Sequence, residues 1–364
     1  MTNVVVVTND FPPRPGGIQS FVHGLALRTP GVAVYAPDWP GCEEFDRHQP
    51  YRVVRHPTRL ILPTPAVARR VARLVAEHRA DTVVFGAAAP LGLLAPRLRR
   101  AGARRVVMLT HGHEASWASA PGFRAVLRRI GEHADVVTYL GEYTRRRLSA
   151  AIPPAKLVRL APGVDTGLFR PGAPKAALGV AGRPVVVCVS RLVPRKGQDR
   201  LIRAWPRVLR AVPDAVLLLV GGGPYRRTLE RLAAGHESIR FTGTVPAAAL
   251  PGYYAAADVF AMPCRTRWGG VDVEGLGIVF LEASATGLPV VAGASGGAPD
   301  AVKQGETGIV VDGEDQAEIA QAIVELLSDP AKARKMGVNG RHWIAGEWAW
   351  EQVAARFHTL LAVP

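Results

Sequence analysis

The chain is poor in cysteine, with three residues, Cys42, Cys188 and Cys264, among 364. They are odd in number, far apart and outside any CxxC pair, which argues against a disulfide framework or a zinc site and points to a reducing compartment. No long hydrophobic run is present either: the longest apolar stretch, Val83 to Pro96, is too short and too broken by Gly and Pro to span a bilayer. The opening MTNVVVVTNDF has no basic residue before Arg14 and goes straight into a strand-like run, which is not how a secretory signal begins. A cytoplasmic location is expected, with any membrane contact peripheral. Repeats of solenoid length, low-complexity tracts, a GxGxxG fingerprint and a DxD-type metal site are all lacking. Acidic residues are in short supply: 30 Asp and Glu against 45 Lys and Arg leave a net charge of +15. Such a balance suggests an anionic partner, whether nucleic acid, a phosphate-bearing substrate or an anionic membrane, and does not choose among them.

What the chain does have is a long alternation of short β-branched runs with helical patterns. VVVVT, VAVYAP, DTVVFG, RRVVMLTHG and DVVTYLG are followed by PVVVCVSR, AVLLLVGGG, IRFTGTV, VFAMPC and LPVVAG. Strands buried on both faces read as unbroken apolar runs, so the pattern predicts parallel α/β sheets. The length exceeds what one core usually supports, and Pro and Gly cluster in LAPGVDTGLFRPGAPKAALGVAGRP, which places a hinge near Gly163 to Pro174. The expected domains are 1–168 and 169–346, with the aromatic-rich helix 347–364 packing back on the first. Two doubly wound domains would face each other across a cleft lined by the C-terminal ends of both sheets, where such folds bind ligands.

Candidate chemistry sits just after these strands. Gly16 and Gly17 open the first helix and would let backbone N–H groups approach an anion, although a plain turn explains them equally well. Asp10, in the same loop, reads as an N-cap or turn residue. His111 and His113 flank Gly112 at the end of VVMLT, with Glu114 next. No third ligand at a recognisable spacing supports a metal, so hydrogen bonding, carbonyl orientation or an ordinary loop histidine remain open. Arg191 and Lys196 bracket the turn after PVVVCVS, a suitable pair for a diphosphate. VGGGP, at Gly221 to Gly223, reads as a tight turn or a place for ligand approach, and FTGTVP as backbone that could face a flat ring.

The stretch GGVDVEGLGIVFLEASATGLPVV places Glu282 on the stripe shared by Ile278, Leu281 and Ala285 of a helix starting near Gly277. A buried carboxylate needs a cation or hydroxyl donors. Ahead of it stand Glu274 and the N–H groups of Gly275, Leu276 and Gly277, at the positive end of the helix.

Glu274 and Glu282 make an E-x7-E pattern. With the PGGI loop, THGHE, SRLVPRKG, VGGGP and LPVVAGASGGAPD, the chain resembles the retaining glycosyltransferases of family 4 over nearly its whole length. The resemblance implies the GT-B fold of two Rossmann-like domains and a hexosyltransferase activity independent of metal and of any cofactor besides the sugar-nucleotide substrate. It places Gly17 beside the donor phosphates and sets Arg191 and Lys196 against the leaving diphosphate. Glu282 would face the ribose hydroxyls, Glu274 with Gly275 to Gly277 would hold the transferred sugar, and the Val245 backbone would meet the base. His111 matches the active-site histidine, while Asp10, Gln19 and His113 are candidates on the acceptor side. Within the family the resemblance is strongest to the actinobacterial phosphatidylinositol-mannoside mannosyltransferases, which implies GDP-mannose as donor, a lipid-linked acceptor and work at the inner face of the membrane. The arginine clusters Arg69-Arg70-Arg73, Arg97-Arg99-Arg100, Arg124-Arg128-Arg129 and Arg145 to Arg147 suit anionic headgroups or reflect an arginine-rich genome. A UDP-sugar donor with a soluble acceptor, a sugar-nucleotide epimerase and a basic nucleic-acid-binding protein are the competing readings; no nucleic-acid partner is expected, since no recognition motif is present.

Overall fold

The computed structural model describes residues 3–118, 121–180 and 182–363, the side chains of His113 and Ser116 excepted. It divides into two compact units, residues 1–163 with 350–364, and residues 164–349. The chain therefore passes out of the first unit after Gly163, ahead of the expected break at 168, and re-enters it at Trp350.

The first unit is built on β1 (Val4–Val7), β2 (Val32–Pro37), β3 (Arg52–His56), β4 (Thr82–Phe85), β5 (Arg105–Met108), β6 (Val136–Tyr139) and β7 (Leu157–Arg159). They pair in parallel in the order β3-β2-β1-β4-β5-β6-β7. Residues alternate across the pleat: Val5 and Val7 enter the core on one face, Val4 and Val6 the core on the other. With both faces covered by helices, an unbroken valine run is the only pattern that buries well. The helix Pro65–Glu77 shows how one cover forms. Thr64 caps its start by accepting from Val67 N, Pro65 fixes its first turn, and Val67, Val71, Leu74 and Val75 make the buried stripe.

The helix Trp350–Leu361 covers the opposite face, with Val353, Phe357 and Leu360 in the same core as Val4 and Val6. Trp350 lies against Gly24 and Gly163, where a Cβ atom would stand 2.3 and 2.6 Å from its ring. The Arg28 guanidinium stacks over the ring, 4.5 Å from its centre.

The second unit repeats the plan with β8 (Val185–Val189), β9 (Val216–Val220), β10 (Ile239–Gly243), β11 (Val259–Met262), β12 (Val290–Gly293) and β13 (Gly308–Val311). These are also parallel, in the order β10-β9-β8-β11-β12-β13. In each unit the strand order reverses at its first strand, between β1 and β4 and between β8 and β11. Loops leaving that point on the C-terminal side diverge, and the crevice they leave is where doubly wound sheets take ligands. Among the described residues no helix is long and apolar enough to cross a membrane.

Candidate functional site

The loops after β8, β11 and β12 form one tight assembly. The turn after β8 carries SRLVPRKG, and Gly197, at φ 76°, ends its 3-10 turn Pro194–Lys196. A Cβ there would meet the Pro263 carbonyl at 1.9 Å, so only glycine lets this turn close against the end of β11. The backbone N–H of Arg265 donates to the Arg195 carbonyl at 2.8 Å. Beneath it the buried Arg265 forks onto the buried Asp199 at 2.8 and 3.1 Å. Such a bidentate pair fixes orientation as well as charge. Neither Arg265 nor Asp199 announces itself in the sequence, since only the fold brings them together across 66 positions.

The turn delivers Lys196 into the interior. Its Nζ meets Glu274 Oε2 at 2.7 Å, with both side chains buried, and Arg195 Nε stands 3.8 Å from the same oxygen and 3.8 Å from Asp272. The segment around Glu274 is held from behind by the loop after β12. Ser295 Oγ accepts from Glu274 N at 3.3 Å, and the N–H of Gly297 donates to the Glu274 carbonyl at 2.8 Å. Cβ atoms at Gly296 and Gly297 would each lie 2.1 Å from a carbonyl, of Glu274 and Gly275 respectively. The glycine pair in GASGGAPD thus makes room for the backbone that carries Glu274, Gly275, Leu276 and Gly277. Leu276 is buried and Gly277, at φ 84°, starts the helix Ile278–Ala285.

Glu282 is half-buried on that helix. Its partner is a protein hydroxyl: Tyr254 donates to Oε2 at 2.7 Å. Tyr254 is fully buried, edge to face with Phe169 at 5.6 Å and tilted against Phe260 at 5.8 Å. Burial pushes the Glu282 carboxyl up to about 7, the Tyr254 hydroxyl pulling the other way. The Tyr254 contact was not foreseen, because nothing in LPGYYAA marks one tyrosine out.

Arg191 is exposed at the start of the turn, and its carbonyl accepts from the buried Gln198. Val245 is half-buried just past β10. The glycines of VGGGP pack on the SRL backbone: Cβ atoms at Gly221 and Gly223 would lie 2.1 and 2.3 Å from the Ser190 and Leu192 carbonyls. Close approach there is by the chain itself, which is the tight-turn reading.

In the first unit, Asp10 and Gln19 are brought together: Gln19 Nε2 donates to Asp10 Oδ1 at 2.7 Å, with Arg14 at 3.7 Å. Gly17 is exposed at the head of the helix Gly17–Leu27, which no side chain caps. His111 follows β5, and its Nε2 faces the Gly86 carbonyl at 2.5 Å while its ring stands edge-on to Phe21 at 5.9 Å. A carbonyl only accepts, so that contact puts the ring proton on Nε2 and leaves Nδ1 as the acceptor nitrogen of the neutral ring. The buried Glu114 accepts from the His111 N–H at 2.9 Å and fixes the loop. His113 begins the short helix His113–Trp117, and its side chain lies outside the described residues. Among the described residues no group of three His, Cys, Asp or Glu side chains is placed to hold a metal ion.

Comparison with known proteins identifies the family and the fold. Residues 15–168 match the model described as Glycosyltransferase Family 4, and residues 174–343 the model for glycosyl transferases group 1. The GDP-mannose-dependent alpha-(1-6)-phosphatidylinositol monomannoside mannosyltransferase of Mycolicibacterium smegmatis is 56% identical over 99% of this chain and 98% of its own. The corresponding enzyme of Corynebacterium glutamicum, named for a monoacylated substrate, is 46% identical over 98% and 97%. Among solved structures, Anabaena HepE in complex with UDP and glucose aligns with a TM-score of 0.79 at 20% identity, covering 99% of both chains. Sucrose-phosphate synthase of Thermosynechococcus elongatus aligns at 0.80 and 24%, covering 99% and 98%. Those two likenesses concern the fold, which is GT-B. On the strength of its close relatives along nearly the whole chain, this protein belongs to the family 4 glycosyltransferases.

Proposed function

We propose that the chain transfers mannose from GDP-mannose, with retention, to a lipid-linked phosphatidylinositol mannoside. The observation that carries this reading is the end-to-end identity of more than half the residues with an enzyme of that name. The geometry supports a division of labour. Lys196, with Arg191 at the mouth of the same turn, neutralises the diphosphate as it leaves; fixed cations placed where charge develops lower the barrier without reorganisation. Lys196 pairs with Glu274. A diphosphate carries more charge than one carboxylate, so donor binding draws Lys196 toward phosphate and turns Glu274 to the sugar hydroxyls. The amides of Gly275 to Gly277 complete the sugar's seat, Glu282 accepts from the ribose, the Val245 backbone meets the base and Gly17 approaches the phosphates. His111 acts at the sugar, with Asp10, Gln19 and His113 on the acceptor side. In the transfer the C1–O bond to phosphate breaks as the C1–O bond to the acceptor forms on the same face, and the acceptor proton passes to the departing phosphate oxygen.

Contact with an anionic membrane from the cytoplasmic side belongs to the same proposal. Arg69, Arg70 and Arg73 project exposed from the helix Pro65–Glu77, and Leu60 and Leu62 just ahead of it are 57% and 52% exposed. Each such charge adds about 1 kcal/mol of attraction to an anionic surface. The test is transfer of labelled mannose to a mycobacterial-type lipid extract with chelator present. GDP-mannose should label a phosphatidylinositol mannoside, and labelling only from a UDP-sugar, or only with added metal, would contradict the reading.

A further inference from the structure

Between β11 and Glu274 the chain makes a small loop, closed where Arg267 and Asp272 pair. Trp268 at its tip is 70% exposed and Val271 66%. Single exposed apolar residues are ordinary on protein surfaces, so exposure by itself means little. Three further features set this residue apart. Its backbone is left-handed, at φ 49°, a conformation that costs a bulky side chain energy and persists only where something is gained by it. The two residues after it, Gly269 and Gly270, are also left-handed, at φ 62° and 96°, and turn the tip sharply. Below the tip the loop is closed by paired backbone bonds, Arg267 N to Asp272 O at 2.9 Å and Asp272 N to Arg267 O at 3.3 Å.

The ring is also held. The Arg267 guanidinium lies 4.7 Å from its centre and is itself tied to Asp272 at 3.4 Å. Asp272 faces Arg195 at 3.8 Å, and Arg195 stands beside Glu274. Only Val273 separates Asp272 from Glu274, so the Cα atoms of the loop's closed base and of the residue that pairs with Lys196 are at most roughly 7 Å apart. The structure therefore presents a solvent-facing indole, one face against a guanidinium, on a loop whose base adjoins the Arg195 and Glu274 side chains.

We propose that Trp268 is an acceptor-specificity residue: its indole takes the apolar face of the acceptor's mannose ring, and Arg267 beside it donates to that sugar's hydroxyls. The inference rests on the mannoside-acceptor reading above. A pyranose has a flat face of C–H groups and a rim of hydroxyls, which matches an aromatic face flanked by fixed donors. Burial in a bilayer suits the tip poorly, since the Arg267–Asp272 pair would be dehydrated with it.

The experiment uses the full chain with a water-soluble, short-chain phosphatidylinositol mannoside. Trp268→Ala should raise KM for this acceptor about tenfold, as removal of a central tryptophan contact commonly does. KM for GDP-mannose and flotation with anionic phospholipid vesicles should not change, and Trp268→Phe should restore most of the acceptor affinity. Trp268→Gly should match the alanine variant in KM with no loss of thermal midpoint, because it relieves the left-handed strain. An unchanged acceptor KM, an equal change in both KM values, or lost vesicle binding with normal use of the soluble acceptor would each overturn the inference. A wild-type protein that transfers nothing to any mannoside overturns the reading beneath it, a different result from a normal wild type with an unaffected variant.

Discussion

At the scale of single residues the arrangement turns on two carboxylates with different partners, Glu274 buried and Glu282 half-buried. Glu274 is neutralised by Lys196, so Lys196→Ala strands a buried charge and should cost about 3 kcal/mol of stability in addition to cutting turnover about 100-fold. A double-mutant cycle with Glu274→Gln checks this: the paired variant should recover thermal stability that the single one loses, while remaining inactive. Glu282 has only a hydroxyl, and its carboxyl moves from an ordinary 4.5 to about 7. The folded protein then holds a proton that the unfolded chain has released, so this group makes stability fall as pH rises from about 4.5 to about 7. Glu282→Gln should flatten that slope in thermal titrations. Nucleotide binding by the ionised form should strengthen through the same range, and Tyr254→Phe, by removing the bond that favours the charge, should move its midpoint upward. Glu282 was legible because it interrupts the apolar stripe of its helix, and Glu274 because it stands at E-x7-E spacing ahead of it. Tyr254, Asp199 and Arg265 were not, because their roles arise from contacts between segments far apart in sequence.

At the scale of elements, the sequence displayed its central strands and concealed some at the rim. VVVVT, PVVVCVS and VLLLV are covered on both faces and read as unbroken apolar runs, whereas β3, β7 and β13 are edge strands with a partner on one side only. RVVRH carries Arg52 on one side of its valines and Arg55 and His56 on the other, LVR is three residues long and GIVV is short and half-buried, so none shows the pattern of a doubly covered strand. The glycine loops were legible as glycine but ambiguous in purpose. Packing decides the matter: Gly221 and Gly223 admit the SRL backbone, and Gly296 and Gly297 admit the backbone of Glu274 and Gly275. Gly297→Ala should therefore push the sugar-seating segment out of place. Far-ultraviolet circular dichroism should be unaltered, with GDP-mannose affinity reduced about tenfold or more, as displacement of a preorganised segment by an ångström commonly costs. Normal donor affinity in that variant would mean the loop tolerates the added methyl.

At the scale of the whole molecule, two parallel-sheet units follow from strand-like runs alternating with helical ones, and each has a crevice where its strand order reverses. Base, sugar and acceptor were not readable from residue types alone, since pocket shape and backbone contacts set them. The resemblance and the near full-length relatives supply what the residues alone leave open. The net charge of +15 fits a protein that handles a diphosphate and an anionic lipid. The most direct measurement is a side-by-side transfer assay with purified protein, phosphatidylinositol monomannoside in anionic vesicles, and GDP-mannose or UDP-glucose as labelled donor. The wild type should form a dimannoside from GDP-mannose alone, with the new linkage α, and His111→Ala should bind GDP normally yet form none. A β-linked product, equal use of both donors, or full transfer by His111→Ala would contradict the mechanism proposed for these residues.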